Sequence, residues 1–227
     1  MSICVVAGLG NPGAAYEGTR HNMGFLLLDA FAAEFGCHWA RDKRVDALCA
    51  VHQESGKRVF LLKPQTYVNR SGHSLNAFCG YYSIPSTSLA VVFDEINLPA
   101  GRAKITVGGS AGGHNGVADI LRFFPNDFVR FRIGIGPKEP PRMDMKDYVL
   151  GKLRPEEKEI LEGSKKNFLD GLKLLIDSGP QTAMNRVNQR PRDESETTEQ
   201  PTTSTNQSEE TGNEDSRNQE IPGHGDI

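Results

Sequence analysis

A short apolar run, residues 3–7, delivers this chain straight into Gly8-Leu9-Gly10-Asn11-Pro12-Gly13, and Tyr16 and Thr19-Arg20-His21-Asn22 follow at once. An apolar run of that length suits a buried strand, and glycine, proline and amide residues at its exit suit a solvent-facing turn. Binding and catalytic groups concentrate in loops that leave such strands. A turn, two amides, a phenol and an imidazole in one stretch therefore mark a candidate site.

Downstream, strand-like runs and helical periodicities interleave. Residues 22–35 carry Phe25, Leu28, Phe31, Ala32 and Phe35 at helical spacing. Residues 47–53 and 58–63 bracket Glu54-Ser55-Gly56-Lys57 as a hairpin. A helix is predicted over 71–83, opened by Ser71 as its cap, and a buried strand over 89–93 that ends at Asp94. Further strands are predicted over 102–107 and 131–135, with helices over 115–124 and 154–177. The fold class that follows is α/β, a single mixed twisted β-sheet flanked by helices, the hairpin making it mixed.

Composition divides the chain near residue 192. From 193 onward the only aliphatic side chains larger than alanine are Ile221 and Ile227, and there is no aromatic. Such a segment buries too little apolar surface to offset its chain entropy, so 1–192 reads as one domain and 193–227 as a disordered acidic tail. The tail holds ten acids and one base, Arg217, a net of −9. Against the chain total of −3, that leaves +6 on residues 1–192, from 25 basic and 19 acidic residues. A body with that excess attracts polyanions.

Cys4, Cys37, Cys49 and Cys79 have no C-x-x-C spacing and read as reduced thiols. No metal-ligand spacing occurs, and no cofactor is expected. No basic segment precedes the first apolar run and no stretch approaches eighteen apolar residues, so neither a signal peptide nor a membrane span is expected. The chain reads as cytoplasmic.

Gly8-x-Gly10-x-x-Gly13 after a strand matches the dinucleotide-binding pattern, which requires a helix to begin inside it. Residues 14–19 lack an apolar face and contain another glycine, which disfavours that reading. The alternative gathers His21 at a helix start, Asp94 at a strand exit, and the amides Asn11, Asn69 and Asn115. Strand exits and the helix starts after them meet along one sheet edge, where ligands bind. The plainer reading makes each asparagine a helix cap or turn residue.

The whole set of motifs resembles the bacterial peptidyl-tRNA hydrolase family: Gly8 to Gly13, Tyr16, Thr19-Arg20-His21-Asn22, Lys63-Pro64-x-Thr66, Asn69-x-Ser71-Gly72, Asp94-Glu95, Leu98-Pro99-x-Gly101, Gly112-Gly113-His114-Asn115-Gly116, Arg132 to Gly136, Tyr148 to Gly151 and Ala183 to Arg186. It spans about residues 1–188. The resemblance implies hydrolysis of the ester joining a peptide to the 3′-terminal ribose of tRNA, without metal or cofactor, by a chain expected to be monomeric. Its partner would be peptidyl-tRNA, met at the CCA end, the acceptor stem and the peptide. By position, His21 would be the general base, Asp94 its orienting partner, and Asn11, Asn69 and Asn115 the holders of peptide, water or oxyanion. Tyr16, Val68 and His114 would line the substrate, with Arg132 and Lys104 toward the tRNA 5′-phosphate. Arg102, Arg130 and Lys138 are auxiliary candidates.

Three departures stand out. Val68 replaces the usual methionine, Asn97 a frequent acid, and Thr106 a lysine found in some members. A non-catalytic relative acting as an RNA-splicing adaptor is the alternative, disfavoured because the candidate catalytic set is complete.

Overall fold

The computed structural model describes residues 2–189; the predicted tail, 193–227, lies outside them. The strands are β1 (Val5–Gly8), β2 (Ala40–Asp42), β3 (Ala47–Glu54), β4 (Lys57–Pro64), β5 (Leu89–Pro99), β6 (Ala103–Val107) and β7 (Val129–Gly136). They form one sheet in the order β2-β3-β4-β1-β5-β7-β6. The central β4, β1, β5 and β7 run parallel, while β3 pairs antiparallel with β2 and β4, and β6 with β7. The sheet is mixed, as the hairpin required.

The helices are α1 (Met23–Glu34), α2 (Ser71–Tyr81), α3 (Asn115–Ile120), α4 (Met145–Leu150) and α5 (Pro155–Val187). Alternation along the strands feeds two cores. In β5, Ala90 and Val92 pack with Phe31, Phe168 and Leu172 on the α1/α5 side. Leu89, Val91 and Phe93 pack with Leu75, Phe78 and Ile120 on the α2/α3 side.

The start of α1 is pressed against the exit of β1. A Cβ on Gly8 would lie 2.4 Å from the Gly24 oxygen, and one on Gly24 would lie 2.3 Å from both the Leu9 nitrogen and the Val92 oxygen. Only glycine fits either position, and their contact fixes the loop between them, residues 9–22, over the strand ends. No helix begins inside the glycine pattern; a 3₁₀ turn, Ala14–Tyr16, follows Gly13 instead. The dinucleotide geometry is absent there.

Several boundaries differ from the sequence reading. β5 does not stop at Asp94 but runs to Pro99, with a register shift between Glu95 and Pro99 where polar residues and a proline interrupt the ladder. Ser71 does not cap α2; it is the first helical residue, and the preceding Arg70 makes no side-chain cap. α3 ends at Ile120, shorter than predicted, while α5 continues to Val187 across a kink at Gly179-Pro180. β2 and α4 are short elements without a sequence counterpart.

At the outer edge of the sheet the Asn188 amide pairs with β6. Ile105 N–H donates to its Oδ1 and its Nδ2 donates to the Ile105 carbonyl, each at 2.8 Å.

Candidate active site

Beside the carboxyl ends of β1 and β5 lies a cleft of about 590 Å³. It is lined by Asn11, Tyr16, His21, Val68, Asn69, Asp94, His114 and Asn115, eight of the ten principal candidates from the sequence, the three auxiliary bases aside. The other two, Lys104 and Arg132, line a neighbouring cleft that shares Glu95, Ala111 and Gly112 with the first.

At the floor of the cleft, Asp94 joins two imidazoles. Its Oδ1 lies 2.9 Å from His21 Nδ1 and 3.1 Å from His114 Nε2. All three side chains are nearly buried. Burial pushes the Asp94 carboxyl up, but the charges and hydrogen bonds of His114 and His21 more than reverse this and hold it below the usual carboxylate range. An ionised carboxylate can only accept, so both ring nitrogens donate to it. In its neutral form His21 therefore carries its proton on Nδ1 and keeps Nε2 as a lone pair.

For His114 the tautomer is fixed twice. Its Nδ1 accepts from the Val117 N–H at 3.2 Å, capping α3, so the proton sits on Nε2. His21, Asp94 and His114 have ligand-type atoms within 4.8 Å of one another. With Nδ1 of His21 and Nε2 of His114 both donating to Asp94, the trio is joined as two imidazoles on one carboxylate.

The amide of Asn11 is oriented just as firmly. The Val68 N–H donates to Asn11 Oδ1 at 2.8 Å, which leaves Nδ2 as the outward end and a donor. Asn11 is itself buried, whereas Asn69 and Asn115 are exposed and make no side-chain hydrogen bond among the described residues. Asn69 lies in the 3₁₀ turn Val68–Arg70 just before α2, and Asn115 opens α3. Asp119 ties those two elements together by accepting from the Gly72 N–H at 2.8 Å. Val68 is almost fully buried, so its part at the cleft is mainly its backbone N–H.

Three residues at the site were not singled out by sequence. Tyr67 is 58 % exposed and meets Tyr16 edge-to-face with ring centres 6.1 Å apart. An aromatic two positions before Asn69 was the available signal. Glu95 pairs with Arg132 at 3.4 Å. The third is Asn22, whose hydrogen bonds go to the Asn11 backbone.

The stretch that carries His21 is fastened from behind. Arg20 donates from Nε and Nη2 to both oxygens of Glu157 at 3.0 and 2.6 Å, from Nη1 to the Tyr148 carbonyl, and stacks over the Tyr148 ring. Its backbone N–H donates to the Gly151 carbonyl, and Leu153 N–H to that of Gly18. His21 is thereby joined to α4, which supplies Met145, Val149 and Leu150 to the cleft wall.

In the second cleft, Arg132 also reaches Thr106 Oγ1 at 3.5 Å, and Lys104 lies opposite it in the β6–β7 register. Arg130 is not an auxiliary ligand-binding base. It is buried and its guanidinium is occupied by the carbonyls of Gly109 and Ser110 and by Asn126 Oδ1, which pins the glycine loop. Arg102 and Lys138 likewise donate to carbonyls of the chain itself.

A buried acid–imidazole pair and three amides thus share one cleft. The family sequence model described as "Peptidyl-tRNA hydrolase" matches residues 5–196. The chain belongs to the peptidyl-tRNA hydrolase family. It is 40 % identical over 191 residues to the peptidyl-tRNA hydrolase of Gloeobacter violaceus, covering 84 % of this chain and 96 % of that one. It is 41 % identical over 185 residues to that of Clostridium tetani, covering 81 % and 96 %. The crystal structure of peptidyl-tRNA hydrolase from Acinetobacter baumannii superposes with a TM-score of 0.76 at 36 % identity, over 82 % of this chain and 94 % of that one. The family fold is the mixed sheet with flanking helices described above. Nothing in the site's geometry favours the splicing-adaptor alternative, since His21, Asp94 and the three amides all reach one cleft. Among the described residues no helix is long and apolar enough to cross a membrane.

Proposed function

We propose that this chain hydrolyses the ester between a peptide and the 3′-terminal ribose of tRNA, with His21 as the base that activates water. A water at His21 Nε2 gives up its proton as its oxygen attacks the ester carbonyl. The resulting imidazolium returns that proton to the departing ribose oxygen, releasing free peptide and tRNA. Asp94 keeps the ring in the reactive tautomer and stabilises its charged form. A positioned base of this kind contributes about 10²–10⁴ in rate.

Asn11 Nδ2 is the donor to the developing oxyanion, an interaction of the type worth about 10²–10³. Asn69 and Asn115 read the peptide backbone, whose N–H and C=O groups are the same for every sequence. Tyr16 and Tyr67 flank the place of the terminal adenosine, where aromatic faces suit a base. Arg132 and Lys104 meet tRNA phosphate, with Thr106 supplying a hydroxyl where some relatives carry lysine. Residues 1–192 carry the activity as a monomer in the cytoplasm, and 193–227 form an appended acidic tail; every group invoked in the chemistry comes from one chain.

The observation that carries this reading is the His21–Asp94 pair opening onto three amides. It is tested by incubating the full chain with N-acetyl-aminoacyl-tRNA and with its unblocked counterpart. Cleavage of the blocked substrate alone is expected, and His21→Ala should abolish it while leaving tRNA binding intact. Parental turnover in that variant would remove His21 as the base.

A further inference from the structure

Asn22 stands at the N-cap position of α1, where an asparagine side chain ordinarily accepts from a backbone N–H of the first turn. Here it makes no such cap. Its Oδ1 accepts from the Asn11 N–H at 2.8 Å and its Nδ2 donates to the Asn11 carbonyl at 3.0 Å. The carboxamide is 5 % exposed and closes a two-bond ring on one residue, as a neighbouring strand would. The approach is tight: a Cβ on Gly10 would lie 3.0 Å from Asn22 Oδ1 and 2.8 Å from the Phe25 ring. A helix that forgoes its natural cap so that the side chain can grip a loop has exchanged local stability for position.

What it grips is the residue whose amide faces the cleft. The Asn11 main chain is held on both sides by Asn22, and its side-chain oxygen by the Val68 N–H. With those three bonds made, the direction of Asn11 Nδ2 is set. Asn22 is also the next residue after His21. The grip therefore ties the donor to the base through a single peptide unit. We infer that Asn22 is a positioning residue, which sets the Asn11 donor relative to the His21 base so that attack and oxyanion capture occur at one carbonyl. The inference rests on the reading of Asn11 given above.

A merely structural Asn22 and a positioning one make opposite demands on Asn22→Ser. Serine is a good N-cap, so this variant can restore the missing cap of α1 while abolishing the ring on Asn11. Thermal stability at or near the parental value is expected, with kcat on N-acetyl-aminoacyl-tRNA lowered about 10- to 100-fold, KM little changed and the pH dependence of kcat unaltered, because His21 and Asp94 are untouched. Asn22→Asp is the second variant: it keeps the shape and the acceptor but opposes a carboxylate oxygen to the Asn11 carbonyl, and the same loss is expected.

The decisive measurement is the cycle with Asn11→Ala. Once the donor is gone its placement no longer matters, so Asn22→Ser should cost nothing more in that background. An equal loss in both backgrounds overturns the inference, as does parental kcat in Asn22→Ser and Asn22→Asp, or a loss that tracks melting temperature. Parental kcat in Asn11→Ala would remove the donor itself, and the inference with it, while leaving the hydrolase reading to stand on His21.

Discussion

His114 donates to Asp94, Nε2 to Oδ1, at 3.1 Å, and the Val117 N–H on its other ring nitrogen shows which end of the imidazole bears the proton. Asp94 is thus shared. One histidine drains part of its charge from behind while the other presents a basic nitrogen to the cleft, with ring centres 4.9 Å apart. The carboxylate's strength as a partner to His21 is set by a neighbour that need not touch substrate.

Replacing His114 by phenylalanine should show this. Asp94 would then have His21 as its only histidine donor and hold the protonated ring more firmly. The acid limb of the kcat profile is expected to move to higher pH, because the firmer hold on the imidazolium makes His21 the stronger base. A profile measured with N-acetyl-aminoacyl-tRNA that superposes on the parental one excludes the coupling.

Asp94→Asn keeps the shape and alters the proton. Its amide can donate to His21 Nδ1, which would place the ring's hydrogen on Nε2, the nitrogen water needs. A fall in kcat of about 10²–10⁴ with little change in KM is expected from single-turnover assays. A loss in KM alone would mean that Asp94 binds substrate and does not orient the base.

Arg132 is paired at 3.4 Å with Glu95 rather than locked in a short fork, so a phosphate can compete for it. Arg132→Ala should weaken all tRNAs alike and lower the slope of log affinity against log salt by about one, and Lys104→Ala should do the same. Binding isotherms at several salt concentrations would reveal the change. Slopes identical to the parent would assign these bases to the fold alone.

The Arg20–Glu157 pair is buried on both sides, with side chains 6 % and 8 % exposed. Burial raises the Glu157 carboxyl, yet bonds from Arg20 and Arg154 bring it below its ordinary 4.5. Its stabilising contribution is therefore complete above pH 4.5 and lost as pH falls through the lower folded value. Glu157→Gln strands the guanidinium and should cost about 3–5 kcal/mol at neutral pH. Urea unfolding from pH 7 to 3 should also show a shallower acid loss than the parent; an unchanged slope would place the acid sensitivity in other carboxylates.

Much of this architecture was legible in the sequence because periodicity and punctuation act locally. The apolar run before Gly8, the Ser55-Gly56 turn and the spaced phenylalanines of α1 each declare an element without help from distant residues. β5 was cut short at Asp94 since Glu95-Ile96-Asn97-Leu98-Pro99 reads as a loop, and only pairing with β7 makes it strand. α4 is too short for a period to register. The residues that share the cleft stand out in the sequence by chemical type and order. Asn22 was quoted in its motif yet given no task, because its partner lies eleven residues away across a turn and an asparagine there looks like a cap. Arg130 misled in the opposite way: a basic residue in a basic region, it spends its charge on carbonyls of its own loop.

The Asn188 side chain on β6 has a bearing on life in a crowded solution. An unpaired strand at the margin of a sheet is a template on which another molecule's backbone can crystallise into a shared ladder. At Ile105 both outward groups are already spoken for by that one amide, in the midst of the strand. Ladder pairing is thereby blocked at that point of β6, where Asn188→Ala would leave the two Ile105 groups without this partner.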